Sequence, residues 1–236
     1  MALYIKQLLA GRDFAREDLF ATQMANFVYL IGDDQQKVCM VVDPAWDIPG
    51  IVSFAESENM LLIGALVTHY HPDHIGGDIF GHSISGLAEL ISIRPVKVHV
   101  NEAESAGVKQ VSGLSDSDLA KHQGGDQISI GNVSVRLLHT PGHTPGSQCF
   151  LADSTLVSGD TLFIGGCGRV DLPGGNPEQM YHSLTHVLAK LPEDTLLYPG
   201  HNYAEREAST IGDEKKSNRY MRIGSLEDWR RLMHVS

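Results

Sequence analysis

The chain has 236 residues, 42% of them hydrophobic and 20% charged, which suits a globular protein with a buried core rather than a disordered or fibrous one. A formal net charge of -11 repels phosphate backbones, so nucleic acid is a poor candidate partner. The three cysteines fit neither a zinc ribbon nor a disulfide framework, and no signal peptide or membrane span is visible, so we expect a cytoplasmic protein without a membrane partner.

In the first half of the chain, short apolar runs bounded by turn residues alternate with amphipathic segments. Gly32-Asp33-Asp34 is a turn signal between two predicted strands, and Asp43-Pro44 ends the second of them. The polar segment 116–125 is predicted as a loop. The predicted strands are 4–9, 27–31, 38–42, 62–68 and 96–100. The predicted helices are 51–58, 87–93 and 102–108.

The second half begins with strands and ends with helices. Gly131-Asn132 is a hairpin signal, Asn176 with Pro177 is a helix start, and Ser225 is a helix cap. The predicted strands are 128–130, 133–138, 147–151, 155–158 and 195–198. The predicted helices are 177–191 and 226–233. Two groups of strands with helices between them predict one α/β domain with layered sheets over 1–236, ending in a short helical tail.

Four residues of the kinds that bind metal ions lie within six positions, directly after the predicted strand 62–68. They are His69, His71, Asp73 and His74. A turn between a strand and a helix lets such side chains converge, and imidazole with carboxylate suits zinc, iron or manganese. The run therefore predicts a metal site, and a chance cluster of surface polar residues is the weaker interpretation.

Three later segments repeat this arrangement. In each, an apolar strand ends, a glycine is present, and a residue that can bind a metal ion is presented. These residues are His143, Asp160 and His201. If the ends of these strands meet at one edge of a sheet, the three segments and the first run together make a site with two metal positions.

With these segments the chain resembles the metallo-β-lactamase superfamily, from its N-terminal strands through His201. The resemblance implies an α/β fold in the form of a four-layer αββα sandwich, with the metal ions at one edge. The implied ligands of the first metal are His69, His71 and His143. The implied ligands of the second metal are Asp73, His74 and His201, with Asp160 bridging both. Asp43 matches an aspartate at the end of an early strand, where it would hold a ligand imidazole in the right tautomer.

The implied chemistry is hydrolysis. Two divalent ions, zinc or iron with manganese as a further candidate, lower the pKa of a shared water toward neutrality. Asp73 is the implied catalytic residue, because it would orient that water or accept its proton. Asp160 indicates which branch of the superfamily the chain resembles. Many zinc β-lactamases have cysteine at this position, whereas members that resemble thioesterases and phosphodiesterases have aspartate.

Two groups within the superfamily remain open. The segment from Gly159 to Arg169 resembles glyoxalase II, which hydrolyses S-acylglutathione thioesters, and also persulfide dioxygenases, which use a single iron. Arg169 and Tyr203 match residues that contact glutathione in both groups, while an ion pair of Arg169 with Asp171 and packing of Tyr203 beside the site are equally weighted alternatives. The aspartate at position 171 matches the sequence pattern of the dioxygenases more closely than that of glyoxalase II. The tail after His201 is shorter than the helical domain with which glyoxalase II contacts glutathione, so the thiol carrier stays open.

The favoured hypothesis is a dinuclear hydrolase that cleaves a thioester, with a small-molecule thiol or thioester as its partner. The second hypothesis is a dioxygenase with one Fe(II) held by His69, His143 and Asp160. A metal-binding protein without turnover is a third hypothesis, and slow β-lactam hydrolysis is a weaker fourth. The oligomeric state is open, and a homodimer is among the expected states.

Overall fold

Two six-stranded sheets dominate the computed structural model, which describes residues 2–233. The first sheet has the strand order β1-β2-β3-β4-β7-β8, and the second has the order β16-β15-β12-β11-β10-β9. Strands β3, β4, β7 and β8 run parallel to one another, whereas β9 to β12 form antiparallel hairpins. The first-sheet strands are Leu3–Leu9, Phe27–Asp33, Val38–Val42, Leu61–Leu66, Lys97–Asn101 and Leu119–His122.

The second sheet is built from the later part of the chain. Its strands, β9 to β12, β15 and β16, are Gln127–Ile130, Val133–His139, Gln148–Ala152, Thr155–Gly159, Leu196–Pro199 and Ser209–Thr210. Two small hairpins complete the strands, β5 with β6 and β13 with β14. They are Gly77–Ile79 with His82–Ile84, and Leu162–Phe163 with Gly166–Cys167.

Eight α-helices cover the outer faces of the two sheets in the described part of the chain. Most begin with a side chain that accepts a hydrogen bond from a free backbone N–H, as Asp47 does for α2 and Asn176 does for α6. No helix within 2–233 has the length and apolar character needed to cross a membrane. The helices α1 to α8 are Leu19–Met24, Ile48–Ser57, Pro72–Ile75, Leu87–Ile93, Ser105–Ser112, Pro177–His182, Ile211–Ser217 and Leu226–Leu232.

Alternation of side chains along the strands divides the core into three apolar layers. Between the sheets, Tyr29 and Leu66 of the first meet Phe150 and Val157 of the second. The outer layer of the first sheet and the outer layer of the second are each covered by helices. Members of the first outer layer are Leu30, Val41, Ile51 and Leu87, and members of the second are Cys149, Leu197, Leu184 and Trp229. This is the predicted four-layer αββα sandwich, and the fold prediction is confirmed.

Three element predictions were wrong. The first strand of the 27–42 hairpin continues through Gly32 and Asp33, so its turn lies at 34–37. The segment 116–125 contains strand β8, because its backbone pairs in parallel with β7 at the sheet edge despite its polar sequence. The helix predicted over 177–191 keeps its α geometry only to His182, and then widens into a π turn over Ser183–Val187 followed by a 3-10 turn.

Candidate metal centre

The seven predicted metal ligands follow the C-terminal ends of four strands that all meet at one end of the sandwich. His69 follows β4, and the short helix α3, which begins at Pro72, presents Asp73 and His74. His143, Asp160 and His201 follow β10, β12 and β15. At this end the backbone of Gly200 packs closely against the Asp160 carboxylate. A Cβ atom on Gly200 would lie only 2.3 Å from Asp160 Oδ1.

The first ligand group combines residues from both sheets. His69 and His71 come from the turn after β4, and His143 comes from the turn after β10. One nitrogen from each residue lies within 4.8 Å of the others, and His143 Nε2 is 2.9 Å from His71 Nδ1. These are the three residues that the sequence predicts as ligands of the first metal.

The second ligand group lies beside the first. His74 Nε2 and His201 Nε2 are 3.2 Å apart, and each lies 3.4 Å from Asp73 Oδ2. All three side chains are buried. They are the residues that the sequence predicts as ligands of the second metal.

Asp160 stands between the two groups. Its Oδ2 is 3.6 Å from His143 Nε2 of the first group and 3.4 Å from His201 Nε2 of the second. Its Oδ1 is 3.3 Å from His74 Nε2. This position matches the bridging role that the resemblance implies.

Hydrogen bonds on the far side of each ring determine which nitrogen faces the centre. A carbonyl oxygen only accepts, so His143 Nδ1–H must donate to Arg169 O at 2.7 Å, and His201 Nδ1–H must donate to Met24 O at 2.7 Å. In the neutral form of each ring, the lone pair is then on Nε2 and points inward. Neutral imidazoles held in this way are the form that binds a metal ion.

Asp43 orients two further rings without belonging to the ligand set. Its Oδ2 accepts from His74 Nδ1 at 3.0 Å and from Thr68 Oγ1 at 2.5 Å, and its Oδ1 accepts from Thr68 N–H at 2.7 Å. Thr68 Oγ1 donates to Asp43, and its lone pair accepts from His69 Nδ1 at 2.9 Å. Asp43 also lies close enough to His69 and His74 to form a candidate metal-binding group with them, but both of its carboxylate oxygens already accept hydrogen bonds, which agrees with the orienting role that the sequence predicts for it.

Two inward-facing atoms test whether a metal ion fits this arrangement. His69 Nε2 and Asp160 Oδ1 are buried, and among the described residues neither has a hydrogen-bond partner. Unsatisfied buried polar atoms are costly, and a cation between them would satisfy both. The donor set of imidazole nitrogens and carboxylate oxygens suits zinc, iron or manganese. The residues therefore fit a divalent metal ion.

Burial and neighbouring charges separate the protonation states within the centre. Burial lowers the pKa of His69 well below 6.5 and that of His71 to about 4, so both are neutral at pH 7. Burial would raise the pKa of Asp73 and Asp160, but the neighbouring His74 and His201 reverse this and hold both values well below 3.8. In return, and against the effect of burial, the two carboxylates raise the pKa of His201 to about 9 and that of His74 well above 6.5, so an ion bound at the second group would displace a proton from each of these rings.

A cleft of about 200 Å³ opens onto the centre. Its walls include His71, Asp73, His143, Asp160 and His201, together with apolar side chains of Met24, Phe163 and Leu172. Its rim carries both predicted substrate-binding residues, Arg169 and Tyr203.

The rim residues make contacts of their own. Arg169 Nε and Nη2 donate to the two carboxylate oxygens of Asp171, each at 2.9 Å, so the ion-pair alternative is present in the structure. Tyr203 stacks on the His201 ring, with centroids 4.7 Å apart and planes 8° apart, while 60% of its surface stays exposed. Tyr203 is therefore both packed beside the site and accessible to a ligand.

Two contributors were missed by sequence reasoning. Asn26 is buried and donates from Nδ2 to Asp73 Oδ2 at 3.0 Å. Glu104 is buried and accepts from Tyr70 N–H at 2.8 Å, Thr144 Oγ1 at 2.7 Å and Gly146 N–H at 2.7 Å, which joins the His69–His74 turn to the His143 turn. Glu104 lies in the 3-10 turn Glu102–Glu104 after β7, and nothing local in the sequence marks it or Asn26 as part of the site.

Known proteins share this fold and sequence pattern. The family model described as the metallo-beta-lactamase superfamily matches residues 21–201. A probable hydroxyacylglutathione hydrolase of Schizosaccharomyces pombe is 34% identical, with 84% of this chain and 83% of that protein covered. The mitochondrial persulfide dioxygenase ETHE1 of Homo sapiens is 31% identical, with 95% of this chain and 82% of that protein covered.

Solved structures agree with these relatives. The crystal structure of ETHE1 from Myxococcus xanthus superposes with a TM-score of 0.79 at 28% identity, covering 98% of this chain and 90% of that one. The family model's range of residues 21–201 includes all seven predicted ligands. The chain therefore belongs to the metallo-β-lactamase superfamily, in its glyoxalase II-like branch.

Proposed function

We propose that this protein is a dinuclear metal-dependent hydrolase that cleaves a thioester, such as an S-acylglutathione. One observation carries the proposal, namely that two complete ligand groups lie side by side with Asp160 between them. A site for one metal ion does not need the second group, yet Asp73, His74 and His201 are all buried and converge within hydrogen-bonding range of one another.

In the proposed enzyme, each of the two ligand groups would bind one ion. His69, His71 and His143 would hold the first ion, Asp73, His74 and His201 would hold the second, and Asp160 would contact both. When bound, zinc, iron or manganese ions supply Lewis acidity and a bound water whose pKa lies near neutrality.

The chain's own side chains supply orientation and proton transfer. The carboxylate of Asp73 lines the cleft and is ionised, so it is placed to accept a hydrogen bond or a proton from the attacking water. Met24, Phe163 and Leu172 form an apolar wall that would exclude bulk water and contact the hydrocarbon part of the substrate. Tyr203 presents its ring face and hydroxyl at the entrance.

The substrate's thiol carrier is part of the proposal. A glutathione carboxylate at the rim would have to compete with Asp171 for Arg169, because the guanidinium already makes two hydrogen bonds to that carboxylate. Both side chains are about two-thirds exposed, so water screens this pair and its net contribution to stability is small. A substrate carboxylate can therefore replace Asp171 as the hydrogen-bond partner of Arg169.

Metal analysis and thioester turnover test the proposal together. We expect two divalent ions per chain in purified protein, and hydrolysis of S-lactoylglutathione or a simpler acyl thioester that stops on chelation and returns on adding metal. A single tightly bound iron with no thioester hydrolysis would contradict the proposal.

A second candidate function is favoured by specific observations. The similarity to persulfide dioxygenases covers 95% of the chain, and Asp171 pairs with Arg169 in the segment that resembles them. In this case His69, His143 and Asp160 would hold one iron ion, and the substrate would be a low-molecular-weight persulfide. Oxygen uptake by iron-loaded protein supplied with glutathione persulfide would support this function, and no uptake would remove it.

A further inference from the structure

Asn26 lies directly behind the second ligand group. Its side chain is 1% exposed, and Nδ2 donates to Asp73 Oδ2 at 3.0 Å. The same nitrogen is 3.3 Å from His74 Nε2 and 3.5 Å from His201 Nε2. One amide group therefore faces all three members of the second group.

Trp46 determines which end of that amide faces the ligands. An indole N–H only donates, and Trp46 Nε1 lies 3.2 Å from Asn26 Oδ1, so Oδ1 must point toward Trp46 and Nδ2 toward Asp73. Rotating the amide by half a turn would place two donors together at Trp46 and an oxygen against the Asp73 carboxylate. The amide is thus held in a single orientation.

Trp46 is itself held in place. It is 7% exposed, its backbone N–H donates to Ser85 O at 2.9 Å, and its ring packs against Phe20 and His82 at centroid distances of 6.0 and 6.2 Å. The orientation of Asn26 is therefore imposed by a rigid neighbour outside the ligand set.

We propose that Asn26 and Trp46 form a positioning pair that sets the affinity of the second metal position. By holding Asp73 against His74 and His201, the pair orders three ligands during folding, so that less conformational freedom is lost when an ion binds. The inference rests on the proposed dinuclear function, because it concerns the position that a single-metal enzyme does not use.

Loss of the Asn26 side chain is expected to change the metal affinity of one position only. The hydrogen bonds that the structure describes for the Asn26 side chain go to the second group and to Trp46, and none goes to His69, His71 or His143. Loss of the side chain should therefore weaken the second ion and leave the first in place.

The backbone of Asn26 has a separate role that substitution does not remove. Its O accepts from Ala10 N–H at 3.0 Å, and its neighbours pair with the His201 turn through Phe27 N–H to Gly200 O at 2.8 Å and Asn202 N–H to Ala25 O at 2.9 Å. Asn26→Ala keeps these contacts, so it tests the side chain rather than the position of His201.

The test is a competition titration of the full chain with zinc(II) and a chromophoric chelator, which resolves the two dissociation constants. We expect Asn26→Ala to raise one of the two dissociation constants by about 10–100-fold, the usual effect of losing a partner that orients ligands, and to leave the other unchanged. Trp46→Phe keeps an aromatic ring but removes the donor, and should raise the same constant by less. Asn132→Ala makes the same change at an exposed position in the β9–β10 turn, and is the control with both constants unchanged.

The outcomes separate this inference from the function on which it rests. If the wild-type chain binds two zinc ions and Asn26→Ala binds both as tightly, or loses both equally, the positioning pair is wrong and the dinuclear hydrolase stands. If the wild-type chain binds only one ion, both the positioning pair and the dinuclear hydrolase are contradicted. Thioester hydrolysis by Asn26→Ala that recovers at high zinc concentration would further support positioning, because a group needed for the reaction itself would not be replaced by added metal.

Discussion

Two carboxylates inside the metal centre have different surroundings and therefore different expected roles. Asp160 is placed between the two ligand groups, with contacts to His143 and His201. Asp73 belongs to one group only, and both carboxylates line the cleft that a substrate would enter. Because Asp73 is not placed between the two groups, we propose it as the carboxylate that acts on a water at the reacting bond.

Asp73→Asn tests this role. The amide has nearly the same size but cannot accept a proton, so we expect kcat/KM for a thioester to fall by about 10²–10⁴-fold in protein saturated with metal. Steady-state hydrolysis measures it. Asp78→Asn is the control, because Asp78 is exposed in the nearby hairpin and should leave the rate unchanged. A normal rate in Asp73→Asn would show that another group handles the proton.

Asp43→Asn tests the orienting hydrogen bonds. Asp43 has a backbone φ of +52°, which asparagine tolerates, so the substitution should preserve the fold. The new amide nitrogen cannot accept from His74 and Thr68, and we expect metal affinity to fall by about 10–100-fold. Zinc titration measures this, with circular dichroism as the check on folding. An unchanged affinity would mean that the tautomers are held by other contacts.

At the scale of elements, the C-terminal helices are part of the second outer layer. Trp229 of α8 is fully buried and packs against Tyr181 and Tyr220, at centroid distances of 5.9 and 6.0 Å. Its Nε1 is buried with no hydrogen-bond partner in the described structure. Trp229 is therefore held by apolar contact, while Arg230 of the same helix donates to Glu178 of α6.

Trp229→Ala should reduce the free energy of unfolding by about 3–5 kcal/mol, because it removes a large buried ring and leaves a cavity. Trp229→Phe should cost less, since it keeps an aromatic ring and loses an N–H that has no partner. Denaturant unfolding with both variants measures the difference. Equal losses in the two variants would show that the indole nitrogen is important after all.

Prediction from sequence worked best where information is local. The hairpin at Gly131-Asn132 and the N-cap at Asn176 were confirmed, because turn and cap chemistry act over a few residues. Strand β8 was missed, since its polar sequence is placed by pairing with β7 and not by its own pattern. In the helix after Pro177, the spacing of the buried residues Met180, Leu184 and Leu188 predicts a helix but does not reveal the wider turn.

The same contrast holds in the metal centre. Every residue that the sequence predicted as a ligand is brought into one cluster, because each follows a strand and is marked by its own chemistry. Asn26 and Glu104 contact ligand-bearing turns at separations along the chain that run from 34 positions, between Glu104 and Tyr70, to 175 positions, between Asn26 and His201. Their contacts exist only after the sheets have formed, which is why a single sequence could not reveal them.

At the scale of the whole molecule, each ligand group takes residues from both sheets, so bound ions join the two halves. Removing them should destabilise the entire fold. At a free metal concentration 1,000 times its dissociation constant, one ion contributes about 4.1 kcal/mol, which corresponds to roughly 8–16 °C in Tm for a chain of this size. Thermal unfolding with and without chelator measures the shift. A Tm that does not respond to chelation would contradict this.

The order of the two sheets along the chain has a consequence for synthesis. The first sheet uses only residues up to His122, and the second begins at Gln127, so each forms from one continuous half of the polypeptide. Domains generally fold as units, and the two sheets share one core layer. The first group needs His143 and the second needs His201, so neither ligand group is complete while only the residues of the first sheet have been made. Full metal uptake therefore marks a chain whose translation has passed His201 and whose halves have docked.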